Sequence, residues 1–487
     1  MKTNSLFQLL ARWILGIGLL AVLGWNSGQS AEVRPNFILF ITDDVSAEDL
    51  GCYGDPVAKT PNLDRMAGEG LRFDRAMLTI SSCSPSRCSL ITGRYPHNTG
   101  APELHTNLPE GQPLFPKMLK EAGYYTALSG KHHMGKNADP AFDKISKGKG
   151  PGSEGDWVDL LSQRPKDKPF FFWFASTDAH RDWQISDEAP VYDPREIQVP
   201  PYLVDDQQTR EDLAAYYHEV SRTDHFAGLL NQELKRQGIE GDTYFIYMSD
   251  NGRPFPRCKT RLYDSGIRSP LIIHCPGRVA PAVSESLISV NVDLGPTILE
   301  LAGLTPDPRM QGVSFVPVLK DPSASVRDFA FAEHNWHVHQ AHERMVRQGD
   351  WLYIRNAWPE RQAMCVESAP KFPAGKALWD AYTAGTLNEN QRDIFLIPRP
   401  EEELYRVDTD PDQMTNVAAL SENRETLAKM RAALDRWTEE TGDTIPEDPT
   451  NDREDPFGKK FPDHKRGTFP GTERGATEIN AKGPITE

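Results

Sequence analysis

Four short stretches hold residues that could do chemistry together. "TDD" at 42–44 and "SDN" at 249–251 offer three carboxylates, on Asp43, Asp44 and Asp250, and one amide oxygen on Asn251. Hard divalent cations, calcium above all, take such all-oxygen shells. No HExxH segment and no Cys/His set with zinc spacing competes, which disfavours a transition-metal site. Lys131, His133, His180 and Lys259 would add cations and proton carriers around that metal. Taken singly, a strand-end histidine is commonly a cap or core partner and a lysine commonly just solvated. "SSCSPSRCSLITG" (81–93) looks like a helix start, with Ser84 or Cys83 near the N-cap and Pro85 in the first turn. Free N–H groups there suit an anion and would activate a cysteine. Arg87, one turn in, could reach back toward Cys83. A Cys83–Cys88 disulfide across one helical turn is geometrically poor, and a plainly capped helix stays open.

The elements that must position these residues are legible as runs. "NFILFITDD" ends at Asp43 and Asp44, and "YYTALSGKHHMG" at Lys131, His132 and His133. "KPFFFWFASTDAH" ends at Asp178 and His180, and "DTYFIYMSDNG" at Asp250 and Asn251. Between them lie the helical patterns "TPNLDRMAGEGLRF", "PLFPKMLKEAG" and "TREDLAAYYHEVSRTDHFAGLLNQELKRQG". Continuous apolar strands alternating with amphipathic helices predict an α/β fold with a large, mostly parallel sheet between helices. Ligands bind outside the carboxyl ends of such strands, where all four polar clusters fall. From about residue 326 the texture shifts to short strands, "FAFAEHNW", "WLYIRNAW" and "EEELYRV", and one helix, "NRETLAKMRAALDRWTEET". The predicted organisation is a signal peptide at 1–31, a catalytic domain at 32–325, a smaller α+β subdomain at 326–442 and an extended or disordered tail at 443–487.

The 487 residues carry a formal charge of −16, which argues against nucleic acid as a partner and requires a local cationic pocket for any anionic substrate. At the N-terminus, Lys2 and Arg12 precede an apolar run over 13–23 and the small residues "GQSA". The run is short of the roughly 20 residues needed to span a bilayer, so no stable membrane span is expected. It reads as an export signal, with a periplasmic or secreted protein behind it; an N-terminal anchor is the alternative. The six cysteines show no CxxC pair and form no disulfide framework in a chain of this size.

"CSPSRCSLITG" at 83–93 resembles the signature of the type I sulfatases of the alkaline-phosphatase superfamily, Cys-x-Pro-Ser-Arg with a downstream Leu-x-Thr-Gly. "FILFITDD", "TPNLDRMA", "GKHHMG", "SDNG", "GIRSPLII" and "ELYRVDTDPDQMTNVA" extend the resemblance over roughly residues 35–440. It implies an alkaline-phosphatase-like fold and a sulfatase. It also implies that Cys83 is oxidised by a formylglycine-generating maturation enzyme to 3-oxoalanine (formylglycine), whose hydrate is the nucleophile. One hydroxyl of that hydrate would attack sulfur, and the other would lose its proton and expel sulfate. The implied calcium ligands are Asp43, Asp44, Asp250 and Asn251 with residue 83, for one Ca2+ ion. Arg87 would hold the hydrate, Lys131 and Lys259 would clamp the sulfate, His133 would take a proton and His180 would protonate the leaving group. Two departures stand out: "TDAHRDW" lacks the proline many members carry before the histidine, and "CKT" lacks the usual glycine-rich approach to Lys259.

"SSCSPSR", "AHRDW", "YDPREIQVPPYL" and "SDNGRPFPRCKTRLY" look most like the heparan N-sulfatase (sulfamidase) branch. That favours a sulfated carbohydrate, N-sulfoglucosamine ahead of O-sulfates or aryl sulfates. A phosphate-ester hydrolase of the same superfamily is the remoter reading, since that chemistry normally uses Ser or Thr. "EHNWHVHQAHERMVR" (333–347) could reach over the pocket, with His334, His337 and Arg344 as sugar-reading candidates or as parts of a surface ribbon.

Overall fold

The computed structural model describes residues 34–486, so the expected signal peptide lies outside the described residues. An eight-stranded sheet runs in the order Lys144–Ser146, Tyr125–Gly130, Phe170–Ala175, Asn36–Thr42, Thr243–Ser249, Leu271–His274, Leu71–Phe73 and Ala282–Ser284. The first five strands are parallel, and Leu271–His274 turns antiparallel to Thr243–Ser249. The sheet is therefore mixed at that side and parallel where the polar clusters emerge.

Its central strands are apolar throughout because both faces are covered. Along Asn36–Thr42, Phe37, Leu39 and Ile41 enter one core while Ile38 and Phe40 enter the other. Phe171 and Trp173 likewise oppose Phe170, Phe172 and Phe174 across Phe170–Ala175. Successive side chains of a strand point to opposite faces, so a doubly covered strand loses the polar alternation of a one-sided sheet. The helix Gln207–Arg236 covers one face, its N-terminus capped by Asp206, whose Oδ1 accepts from Thr209 N at 2.9 Å.

A second, antiparallel sheet runs Ala330–His334, Glu343–Gln348, Trp351–Asn356, Glu402–Arg406. The helix Arg424–Thr441 packs on it through Leu427, Met430, Leu434 and Trp437, against Phe331, Val346, Tyr353 and Leu404. Pro35–Glu487 forms one compact unit, so the two sheets share a single body. Elements beyond the sequence expectations include the helices Trp157–Gln163, Val290–Leu301 and Pro373–Ala384, the last starting on proline and ending on Gly385 in the left-handed region. The helical pattern at 60–73 stops at Glu69, and Leu71–Phe73 is a strand.

Residues 443–486 follow an irregular, extended path tied to the rest of the chain. Asp443 takes two hydrogen bonds from Arg344, and Thr450 Oγ1 donates to Glu103 Oε2 at 2.6 Å. Asn480 Oδ1 accepts from Arg94 Nη1 at 2.6 Å, and Ile485 O accepts from Asp328 N at 2.7 Å.

Candidate active site

Cys83 is the first residue of the helix Cys83–Thr92, with Ser82 as its extended N-cap. Every residue of this helix is buried, and Asn291 pins it by donating from Nδ2 to the Ser86 carbonyl at 2.9 Å. Cys83 Sγ lies 3.4 Å from Asp43 Oδ1 and 3.9 Å from Asp44 Oδ1. Burial and the Asp43 carboxylate push this thiol well above its ordinary pKa. The expected activation at a helix N-terminus is thus reversed: desolvation and like charge outweigh the partial positive charge of the helix end. Arg87 is buried one turn into the helix, with Nη2 4.0 Å from Asp43 Oδ2. Its Nε donates to Asp250 Oδ2 at 2.7 Å and its Nη1 to the Lys131 carbonyl at 3.0 Å, so it braces two strand ends against the helix.

The acids come from two neighbouring strand ends. Asp44 sits at φ 64° in the left-handed region, a strained geometry that turns its side chain into the cluster, where Asn251 Nδ2 donates to Asp44 Oδ1 at 2.5 Å. Lys131 Nζ bonds Asp43 Oδ2, and Lys259 Nζ lies 2.6 Å from Asp44 Oδ2. Burial alone would raise Asp43, yet Lys131, with His180, Arg87 and Lys259, holds it well below the usual carboxylate range. Burial outweighs Lys259 at Asp44 and Arg87 at Asp250, pushing each to about 7. Asn251 Oδ1 is buried without a hydrogen-bond partner. Ligand atoms of Asp43, Asp44 and Cys83 lie within 4.8 Å of one another. Crowded carboxylates that resist ionising, together with an orphaned amide oxygen, fit a hard divalent cation.

Of the two histidines, His133 has its backbone in the left-handed region, φ 57°, and its Nδ1 is buried without a partner. Burial, then the charges of Lys131 and Arg87, lower its pKa to about 2, so the ring is neutral. His180 stands exposed at the rim, its Nδ1 2.5 Å from the Arg181 carbonyl, and is lowered chiefly by the charge of Lys259.

The three sugar-reading candidates divide. His337 reaches the site's edge, with Nδ1 2.6 Å from Ser82 Oγ, beside the first residue of the Cys83 helix. His334 is buried against Glu343 Oε2 at 2.9 Å, inside an ion network that Arg261 and Arg399 complete. Arg344 is committed to Asp443 and to Asn335 Oδ1, so the structure gives it a bracing place and not the pocket. Two neighbours went unread. His105 Nδ1 lies 2.8 Å from His133 Nε2, and buried Glu367 Oε1 lies 4.0 Å from Lys259 Nζ. Neither has a local signal, since each is an isolated residue in a loop or short turn.

A helix-borne cysteine facing buried acids, lysines and histidines at the carboxyl ends of a parallel sheet defines a hydrolase-type centre. The sulfatase family model matches residues 35–151 and 155–304, and the chain belongs to that family. A second model, "N-sulphoglucosamine sulphohydrolase, C-terminal", matches residues 258–355. The chain is 30% identical to the human N-sulphoglucosamine sulphohydrolase, over 87% of this chain and 93% of that protein. It is 28% identical to an ulvan-active sulfatase of Formosa agariphila, over 84% of this chain and 76% of that one. A solved structure of a protein in complex with its substrate D-glucosamine-2-N,6-O-disulfate shares the fold, with a TM-score of 0.64 and 21% identity over 83% of this chain and 98% of that one.

Proposed function

We propose that this sulfatase is exported and releases sulfate from sulfated carbohydrate, with N-sulfoglucosamine as its favoured substrate. One observation carries the reading: Cys83 lies buried at a helix start against Asp43 and Asp44, inside the cluster that Lys131 and Lys259 join. Oxidation to formylglycine by a maturation enzyme would put an aldehyde hydrate at that position. A calcium ion held by Asp43, Asp44, Asp250 and Asn251 beside residue 83 would supply positive charge to a sulfate oxygen and acidify a hydroxyl there.

The chain's own residues do the rest. Lys131 and Lys259, which lean on Asp43 and Asp44, provide the two ammonium groups for the sulfate oxygens, where charge builds as the bond to sulfur breaks. Arg87 keeps Asp250 and the Lys131 carbonyl in register with the helix. His133, neutral and unpartnered at Nδ1, is placed to accept a proton in the tautomer that leaves Nδ1 bare. His180, at the solvent-facing rim, protonates the leaving nitrogen or oxygen; a bound sulfate offsets the Lys259 charge that otherwise lowers it.

Support for an N-sulfated sugar comes from the match over residues 258–355 and the likeness to the human enzyme. An O-sulfatase is the second reading, favoured by similarity to an N-acetylglucosamine-6-O-sulfatase of Bacteroides thetaiotaomicron, 25% identical over 72% of this chain. Sulfate release from N-sulfoglucosamine should exceed that from glucosamine 6-O-sulfate at equal concentration; the reverse order assigns the O-sulfatase. Export rests on the sequence of the first 31 residues. No helix of the described residues is long and apolar enough to cross a membrane.

A further inference from the structure

His105 is tied to both halves of the site. Its backbone N–H donates to Ser84 Oγ at 2.8 Å, one residue past Cys83 on the same helix. Its ring meets His133, with Nδ1 and Nε2 2.8 Å apart and ring centroids 4.9 Å apart. Both residues present their rings from left-handed backbone, His105 at φ 60° and His133 at φ 57°. Non-glycine residues held there cost of order 1 kcal/mol or more each and concentrate where the surrounding structure fixes a functional geometry. His105 is exposed, while His133 keeps a buried, unpartnered Nδ1 at its other end.

Two neutral imidazoles this close share one proton between the facing nitrogens. If His133 Nε2 holds it, Nδ1 is bare and accepts; if His105 Nδ1 holds it, His133 Nδ1 carries its own proton and donates. The two arrangements differ only by protons shifted along one line, from a buried nitrogen to solvent. We infer that His105 is a positioning residue of the reaction, fixing the His133 ring and passing to solvent the proton that His133 takes up. This rests on the proposed role of His133 as proton acceptor.

In the transfer, a proton bonds to His133 Nδ1 while the His133 Nε2–H bond breaks and a His105 Nδ1–H bond forms. The His105 Nε2–H proton then leaves to water. Both rings end neutral. Once sulfate has left, His133 Nδ1 gives its proton to water in the emptied site, the shared proton returns to His133 Nε2, and His105 Nε2 takes one back from solvent. Burial, then Arg453, Arg466, Lys131 and His180, disfavour a charge resting on His105, and burial with Lys131 and Arg87 disfavours one on His133.

The test uses the full, aldehyde-bearing chain, with wild-type sulfate release as the control. H105A should lower kcat by about 10- to 100-fold with KM unchanged, and added imidazole should restore much of it. H105N keeps a residue type suited to left-handed backbone and a hydrogen bond to His133, but cannot pass a proton, so its kcat should stay low. Wild-type kcat in H105N, or a loss in H105A that imidazole leaves untouched, overturns the inference. A second readout needs no turnover: imidazole nitrogen NMR shifts of the unmodified, Cys83-bearing chain. H105N should change the tautomer populations of His133; unchanged populations overturn the inference. If wild type releases no sulfate, the proposed function fails, and the NMR comparison still decides whether the rings share a proton.

Discussion

Cys83 Sγ lies against Asp43 and Asp44, and the charges of Asp43, Lys131, Lys259 and Asp250 act on its buried thiol. Burial, then the Asp43 and Asp250 carboxylates, raise the thiol, and the acids are themselves crowded, with Asp44 and Asp250 at about 7. A divalent cation would reverse both effects by neutralising the acids it binds. Asp250→Ala should therefore weaken calcium binding to the unmodified chain by more than about 100-fold, read by isothermal calorimetry. Binding that survives the change means the ligand set is drawn wrongly. These acids were legible because each follows an apolar strand immediately. His105 was not: nothing near it in sequence says that its loop folds back onto Ser84 and His133.

Elements are held together by charges that no periodicity reports. The strand Glu343–Gln348 has the charge pattern of a surface ribbon in "ERMVRQ", yet it is buried. Its charged residues are buried in pairs with partners far along the chain, Glu343 with Arg261 and Arg399, Arg344 with Asp443, and Arg347 with Asp264. The central strands were legible because burial on both faces leaves runs of Phe, Ile and Trp. One buried pair joins the two parts directly: His97, on the short helix Pro96–Thr99, bonds Glu333 Oε1 at 2.6 Å on the strand Ala330–His334. Burial alone would lower the His97 pKa, but Glu333, aided by Asp443, more than offsets it and raises it above 6.5. A raised pKa gives stability that is fully present below the unfolded value and is lost as pH rises through the folded one. His97→Gln should cost about 3 kcal/mol at pH near 6, and the gap in Tm from wild type should narrow at alkaline pH. A gap that widens with pH contradicts the charged pairing.

Over the whole molecule, a chain of net charge −16 gathers Arg87, Lys131 and Lys259 at one point, the arrangement an anionic substrate needs when the long-range field repels it. The tail, rich in Pro, Gly and charge, is extended and hydrogen-bonded to Arg344, Glu103, Arg94 and Asp328, each far away in sequence. The fold could be read from its apolar runs, and the places of Asp43, Asp44, Lys131, Asp250 and Cys83 from their positions at strand and helix ends. Lys259 instead lies in a loop and follows no strand or helix end. The roles of Arg344, His105 and Glu367 could not, because each depends on partners that only the folded chain brings near. The central claim is that residue 83 works as an aldehyde hydrate and not as a thiol. Mass spectrometry of the tryptic peptide 76–87, from protein made in its native host, tests it directly. The account predicts an aldehyde at position 83; a peptide carrying only the intact thiol, in protein that releases sulfate, would contradict it.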